Sequence, residues 1–429
     1  MRYALVGYGI GNKALCTKLT QMGHQIFVSE SRFLTDEERS QLISMNVHFE
    51  EGNNSQRICE ADVVVVSPSV KPDHPIVSRC SAKAVTDIDV VLGIRKPAFV
   101  IAVTGTNGKT TTCNMIFHVL RTIGKNCYLC GNVGEPVAHL LDVDPEYVIL
   151  EISSFQLYWS KSLPIDIGVI LNIEPNHLDW HPTMQHYIES KLKIFGFAEH
   201  KVFNESDETI KRNLSTDSTY HGFETVSVDS SLSRVVYEQR SYYVNNSVLL
   251  TCQNLENLSA VLKVFSLLGY EPSTVLEALE SFRPPRHRME LVAKINGISF
   301  IDDSKATSAA ATISALENFT AKNVILILTG RGKNEDYTSL VNQMKSKVKH
   351  AYIFGEMART LSDILQKEGF PFTIAENMRQ AVSDAFEMAE DGDVVLLSPA
   401  GASFDLYRNY AERGDDFVNV VKSLTEGKG

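Results

Sequence analysis

98-AFVIAVTGTNGKTTT-112 decides how the rest of the chain is read. An apolar, β-branched run to Thr104 enters Gly105-Thr106-Asn107-Gly108-Lys109-Thr110, and an amphipathic stretch from Thr111 to Ile123 follows. That order predicts a buried strand, a phosphate loop and a helix. Gly105 and Gly108 let the backbone curl until several amide N–H groups and a helix N-terminus face one anion, and Lys109 adds a full charge. Thr110 is placed to hold Mg2+, with Thr111 and Thr112 in the first helical turn beside the nucleotide. Val103 stands where the usual phosphate loop has its first glycine, so this is a shortened variant. The expectation is an ATP site.

Outward from this loop, 429 residues suggest roughly three domains at about 150 residues each. The net charge of -11 disfavours a broad nucleic-acid surface. No run of 18 apolar residues occurs, and MRYALVGYG enters a strand without a leader pattern, so no membrane role and a cytoplasmic location are expected. The seven scattered cysteines suit reduced thiols. Cys127-x-x-Cys130 lacks a second Cys/His pair and reads as two small hydrophobes.

Upstream, Tyr3–Gly9, a helix to Met22 and Gln25–Ser29 form a Rossmann-type opening, although Asn12 replaces the last fingerprint glycine. Glu30-Ser31-Arg32 stands at the strand tip where such folds touch a ribose or phosphate. A linker near residue 93 and another near 284 divide the chain into 1–93, 94–284 and 285–429. The expected fold is α/β in three domains: Rossmann-like N-terminal, central P-loop-type ATPase, and Rossmann-like C-terminal.

Downstream, two apolar strands carry polar residues at their C-terminal ends, the edge where open α/β sheets bind ligands. Glu151 inside the first is costly to bury unless it meets a cation, which suggests a metal ligand. His177, beside Asn172, Asp179 and the phosphate loop, also favours ligation. Lys191 and Lys193 in 187-YIESKLKIF-195 look by themselves like a solvated helix face. After residue 284 come a hairpin around Asn296-Gly297 and strands at 324–328, 351–354, 372–375 and 394–397. Three polar loops follow strand ends, at 302–307, 329–333 and 398–403.

On GTNGKTT (105–111), GNVG (131–134), EISSFQL (151–157), NIEPNHLDWH (172–181), PPRHRME (284–290), DDSKATS (302–308) and SPAGASFDLYRNYAERGDDF (398–417), the chain resembles the Mur ligase family over all three domains. The Ser-Ser-Phe-Gln-Leu and Ser-Pro-Ala-x-Ala-Ser-x-Asp runs resemble its D-glutamate-adding branch. Folylpolyglutamate-type ligases, the alternative, share the ATP module but not these runs. The resemblance implies ATP-dependent joining of D-glutamate to UDP-N-acetylmuramoyl-L-alanine through an acyl phosphate, by a monomer.

It implies that Lys109 and Thr110 hold phosphates and metal, with Glu151 and His177 completing coordination. Carbamylated Lys191 would bind the second of two Mg2+. Asn254, Asn257, Arg288 and Asp303 would contact the nucleotide, while Lys305 faces the transferring phosphate. Gly9, Ile10, Gly11, Asn12, Ser31, Arg32 and Asn132 would bind the UDP-sugar. Thr307, Lys333, Ser403 and the backbone at Tyr410 would form the D-glutamate pocket.

Overall fold

In the computed structural model, each α/β sheet follows from apolar β-branched strands alternating with amphipathic helices. The structure describes residues 1–132, 134–178, 180–214, 218–229, 233–319, 321–332 and 337–426. They form two units: residues 1–250 with 255–282, and residues 251–254 with 283 onward.

The first unit holds two parallel sheets. Strands β1 (Arg2–Val6), β2 (Gln25–Glu30), β3 (His48–Glu51), β4 (Val63–Val66) and β5 (Ala84–Val85) run in the order β3-β2-β1-β4-β5. This is the doubly wound arrangement, and its chain reversal lies beside β1. The central sheet contains β6 (Phe99–Thr104), β7 (Cys127–Gly131), β8 (Tyr147–Glu151), β9 (Ile165–Ile170), β10 (Ala198–Asn204) and β11 (Tyr220–Phe223). Its order is β11-β10-β9-β6-β8-β7, again all parallel. β6 is therefore flanked by β8 and β9, and the loops after all three strands share one edge. A small antiparallel sheet of β12 (Ser227–Asp229), β13 (Arg234–Tyr237) and β14 (Arg240–Tyr243) decorates this domain.

The second unit's sheet contains β15 (Glu290–Ile295), β16 (Ile298–Asp302), β17 (Val324–Thr329), β18 (Val348–Phe354), β19 (Phe372–Ile374) and β20 (Val394–Ala400). Its order is β15-β16-β20-β17-β18-β19, with only β15 antiparallel. The expected hairpin turns at Asn296 and Gly297, both at positive φ (50° and 79°).

One expectation changes. Cys59 and Cys80 are disulfide-bonded, with Cα atoms 5.5 Å apart, rather than reduced. The 3-10 turns Gln56–Glu60 and Val77–Lys83 pack together, a proximity that sequence spacing does not reveal. The helix Cys252–Leu267 carries both Asn254 and Asn257. Cys127 and Cys130 behave as expected: both are buried, and burial pushes their thiols up to about 11 and about 12.

Candidate active site

The central sheet places β6 directly before its phosphate loop. Gly108 caps helix Lys109–Thr122 at φ 79°, and a Cβ there would run into the Asn257 side chain, so glycine is required twice over. The loop is braced on one side by Asn172, whose Oδ1 accepts from Asn107 N at 2.8 Å. On the other, Thr106 Oγ1 meets Tyr187 Oη at 3.0 Å and accepts from Glu174 N at 2.9 Å. Asn257 Oδ1 accepts from Thr112 Oγ1 at 3.1 Å, which ties the later helix to the loop's first turn.

Glu151, at the end of β8, is 1 % exposed. Its Oε2 accepts from Thr110 Oγ1 at 2.7 Å and its Oε1 from Asn132 Nδ2 at 2.8 Å. Among the described residues no cationic side chain forms an ion pair with it. A buried carboxylate balanced only by neutral donors is the donor set a divalent cation fits. Glu151 and Thr110 would hold that ion, and the structure brings Asn132 to the same carboxylate.

Lys191 is not on a solvated face. It is 1 % exposed, and its Nζ donates to Gly105 O at 2.6 Å, the same carbonyl that accepts from Lys109 Nζ at 2.7 Å. Burial, and next the neighbouring Lys109 charge, hold its amine well below the usual lysine range. Lys193 is also engaged: it donates to Tyr158 O and Ser160 O at 2.7 and 2.8 Å, and burial lowers it to about 8. His177 sits at φ 55° with its ring 4.8 Å from Phe155 and 6.4 Å from Tyr187, the tyrosine that braces the loop.

A cavity of about 310 Å³ is lined by Gly9 to Asn12, Ser67, Pro68, Asp87, the Gly131-Asn132 turn and Gln156, among others. It joins the N-terminal and central sheets within the first unit, and Gly9, Ile10, Gly11, Asn12 and Asn132 all line it. The Asn12 side chain turns back to Gly7 O at 2.8 Å, so it secures the tight turn that the missing glycine would have eased. Ser31 and Arg32 do not line this cavity. Arg32 makes a bidentate pair with Glu38 at 2.8 and 2.7 Å and stays half exposed. Asp87, which the sequence reading missed, does line it, and burial pushes its carboxyl up to about 6. Its one signal was the capping pattern Thr86-x-x-Asp89 that starts its helix.

In the second unit, Arg413 is fully buried and joins the loops that follow three strands. Its guanidinium donates to Ser304 Oγ and Ser304 O at 3.0 and 2.8 Å, to Thr329 O at 3.2 Å and to Gly401 O at 3.0 Å. Arg331 and Ala402 exchange backbone hydrogen bonds at 2.7 and 2.9 Å, so two of these loops also pair directly. Lys305 Nζ lies 3.8 Å from the centre of the Tyr410 ring, and Ser304 Oγ donates to Tyr410 O at 2.8 Å. That carbonyl is therefore already engaged. Thr307 and Ser403 stand on the same cluster of loops; Lys333 lies outside the described residues. Asp303 accepts from Ser398 Oγ and Met289 N, and burial pushes its carboxyl up to about 7. His287, Glu290 and Asp302 offer ligand atoms within 4.8 Å of one another, but the His287 ring already bonds Asp302 and its backbone N–H donates to Glu290.

Three family models match: the Mur ligase middle domain at residues 103–266, the Mur ligase glutamate ligase domain at 287–401 and the MurD N-terminal domain at 2–76. The chain belongs to the Mur ligase family. Within it, the chain is 56 % identical to UDP-N-acetylmuramoylalanine--D-glutamate ligase of Pseudothermotoga lettingae, over 99 % of both chains. It is 41 % identical to the protein of that name from Fervidobacterium nodosum, over 100 % of both. Among solved structures, UDP-N-acetylmuramate-alanine ligase MurC of Thermotoga maritima superposes with a TM-score of 0.64 at 20 % identity, covering 99 % of each chain. MurF ligase of Thermotoga maritima in complex with ADP gives 0.62 at 16 %, covering 94 % of this chain and 96 % of that one. These two show the fold alone.

Proposed function

We propose that this chain joins D-glutamate to UDP-N-acetylmuramoyl-L-alanine at the cost of ATP; its nearly full-length relatives are named UDP-N-acetylmuramoylalanine--D-glutamate ligase. The observation that carries the chemistry is the Lys109–Thr110 phosphate loop set against buried Glu151. A carboxylate and an amine at neutral pH only pair; an amide needs the carboxyl oxygen turned into a leaving group. The alanyl carboxylate oxygen attacks the γ-phosphorus, the bond to the bridging oxygen breaks, and ADP leaves. The neutral amine of D-glutamate then adds to the carbonyl carbon. The tetrahedral intermediate collapses with the C–O pair leaving on phosphate, and the amine's extra proton goes to solvent.

Lys109 and the loop amides orient the phosphates. Thr110, Glu151, His177 and Lys191 would hold two Mg2+, which supply neutralisation of the charge on the transferring phosphoryl group. The neutral Lys191 amine can attack CO2 and lose a proton, giving a carbamate that makes this lysine an anionic ligand. Asn254, Asn257, Arg288 and Asp303 serve the nucleotide, and Lys305 serves the phosphate and intermediate. Gly9 to Asn12 and Asn132 line the acceptor cavity, with Ser31 and Arg32 reading the uridine once Arg32 leaves Glu38. Thr307, Lys333, Ser403 and the Tyr410 backbone receive D-glutamate. We take the working divisions as 1–93, 94–284 and 285–429, and the enzyme as a cytoplasmic monomer; among the described residues no helix is long and apolar enough to cross a membrane.

The test is phosphate release screened over amino acids with UDP-N-acetylmuramoyl-L-alanine as acceptor. Release should require ATP, acceptor and D-glutamate together. Faster turnover with L-glutamate or meso-diaminopimelate would overturn the assignment.

A further inference from the structure

The chain re-enters regular structure after Pro284-Pro285 through an unusual strap. His287 and Met289 both take left-handed backbone conformations, at φ 64° and 47°. A non-glycine residue held there costs about 1 kcal/mol or more and persists only where its surroundings fix it. Here the fixing group is the buried His287 side chain, 4 % exposed. Its Nδ1 lies 2.7 Å from Asp302 Oδ2, and Asp302 is itself fully buried at the end of β16. The other Asp302 oxygen accepts from Ser304 N at 2.9 Å.

The backbone around the pair links two functional loops. His287 N donates to Glu290 Oε2 at 2.8 Å, while His287 O accepts from Lys305 N at 3.1 Å. Met289 N reaches Asp303 Oδ1 at 3.3 Å. Residue 288 is thus pinned on both sides, and the backbone of residue 305 hangs from His287 itself. Opposite the ring stands Gly414, where an added Cβ would collide with His287 Nδ1.

From this geometry we propose that His287 and Asp302 are a positioning pair for the ligase reaction. They touch no substrate; they hold the Arg288 strap and the Lys305 loop in one register, so that nucleotide contact and phosphate contact are set together. The proposal rests on the ligase reading above. It assigns to Gly414 the duty of leaving room for the imidazole.

The test compares wild type with Asp302→Ala, Asp302→Asn and Gly414→Ala in the full-length enzyme, reading kcat and the KM for ATP and for the nucleotide sugar. Asparagine can keep both bonds through a change of imidazole tautomer: its Oδ1 accepts from Ser304 N and its Nδ2 donates to Nδ1. Asp302→Asn should therefore stay within about threefold of wild-type kcat. Asp302→Ala removes both bonds, and Gly414→Ala displaces the ring without removing either partner; a misplacement of about 1 Å costs up to about 10²-fold. Both should lower kcat at least tenfold and raise the ATP KM, with the nucleotide-sugar KM within twofold. A folded Asp302→Ala with wild-type kcat, or an Asp302→Asn as slow as Asp302→Ala, overturns the proposal. If Asp302→Ala does not fold, a folded Gly414→Ala with wild-type kcat overturns it alone. Failure of the wild type to release phosphate with these substrates would instead overturn the ligase reading.

Discussion

Among the described residues each unit buries one long cation, and the two are treated in opposite ways. Lys191 in the first unit and Arg413 in the second are both essentially without solvent contact. Lys191 donates to a carbonyl it shares with a second lysine, so burial and like charge both favour the neutral amine. Arg413 reaches four oxygens on three loops, and although burial lowers its guanidinium to about 10, it remains charged at neutral pH. A buried cation with few acceptors is poised to change its chemistry. One with many acceptors is a structural clamp.

The largest effect that follows is on activity at Lys191. Lys191→Ala should lower kcat by about 10³-fold, the scale of losing one organised electrostatic group, and acetate or formate should partly restore it by replacing the carbamate. Retained activity would remove the carbamate assignment. Stability should respond the other way. The folded state binds fewer protons here than the unfolded state, so stability rises with pH between the depressed folded pKa and 10.5. Lys191→Met removes that slope and should leave the melting temperature unchanged or raised near pH 7. Lys193 is a brace rather than a solvated lysine, because the Tyr158 and Ser160 carbonyls lose their donor on truncation. Lys193→Ala should cost about 1–3 kcal/mol of stability with kcat largely kept.

Arg413 should show the reverse pattern. Arg413→Met orphans acceptors on the loops at Ser304, Thr329 and Gly401. A loss of about 3–5 kcal/mol is expected, read by calorimetry as a lower transition for the second unit. Arg413→Lys should not rescue it, since one ammonium cannot span the fork. A wild-type transition in Arg413→Lys would show that charge alone suffices.

Glu151 stands out from the residue pattern alone, whereas Lys191 is reached only through the family resemblance and Arg413 not at all, and the reason is a matter of pattern. A carboxylate inside 147-YVILE-151 is conspicuous against an apolar strand. Lys191 hides in a helix with Lys193 nearby, where lysine is ordinarily solvated. Yet Tyr187, Lys191 and Ile194 fall on one stripe at i, i+4 and i+7, and all are buried. Arg413 shares the same kind of stripe with Phe417, Val420 and Val421. Reading which face a charge occupies, rather than its type, would have found both. The phosphate loop and the strand-ending loops were legible because glycine and strand-end polarity are local signals. The Cys59–Cys80 bond and the His287–Asp302 pair were not, since each joins segments brought together only by packing.

The last expected effect concerns an anion and tests whether the same rule holds with the sign reversed. Glu256 Oε1 accepts from Asn172 Nδ2 at 2.6 Å, and Asn172 in turn braces the phosphate loop. Burial, and beyond it Glu174 and Asp207, push the Glu256 carboxyl up to about 7 from 4.5. Between those values the folded state binds more protons than the unfolded state, so stability falls as pH rises from about 4.5 through 7 and is level above. Glutamine keeps an acceptor for Asn172 and carries no charge. Glu256→Gln should therefore be near neutral at pH 4.5 and stabilising by about 1–3 kcal/mol at pH 8. A melting-temperature difference that is the same at both pH values would mean that the Glu256 carboxyl titrates alike in the folded and unfolded states, and that burial does not set its charge.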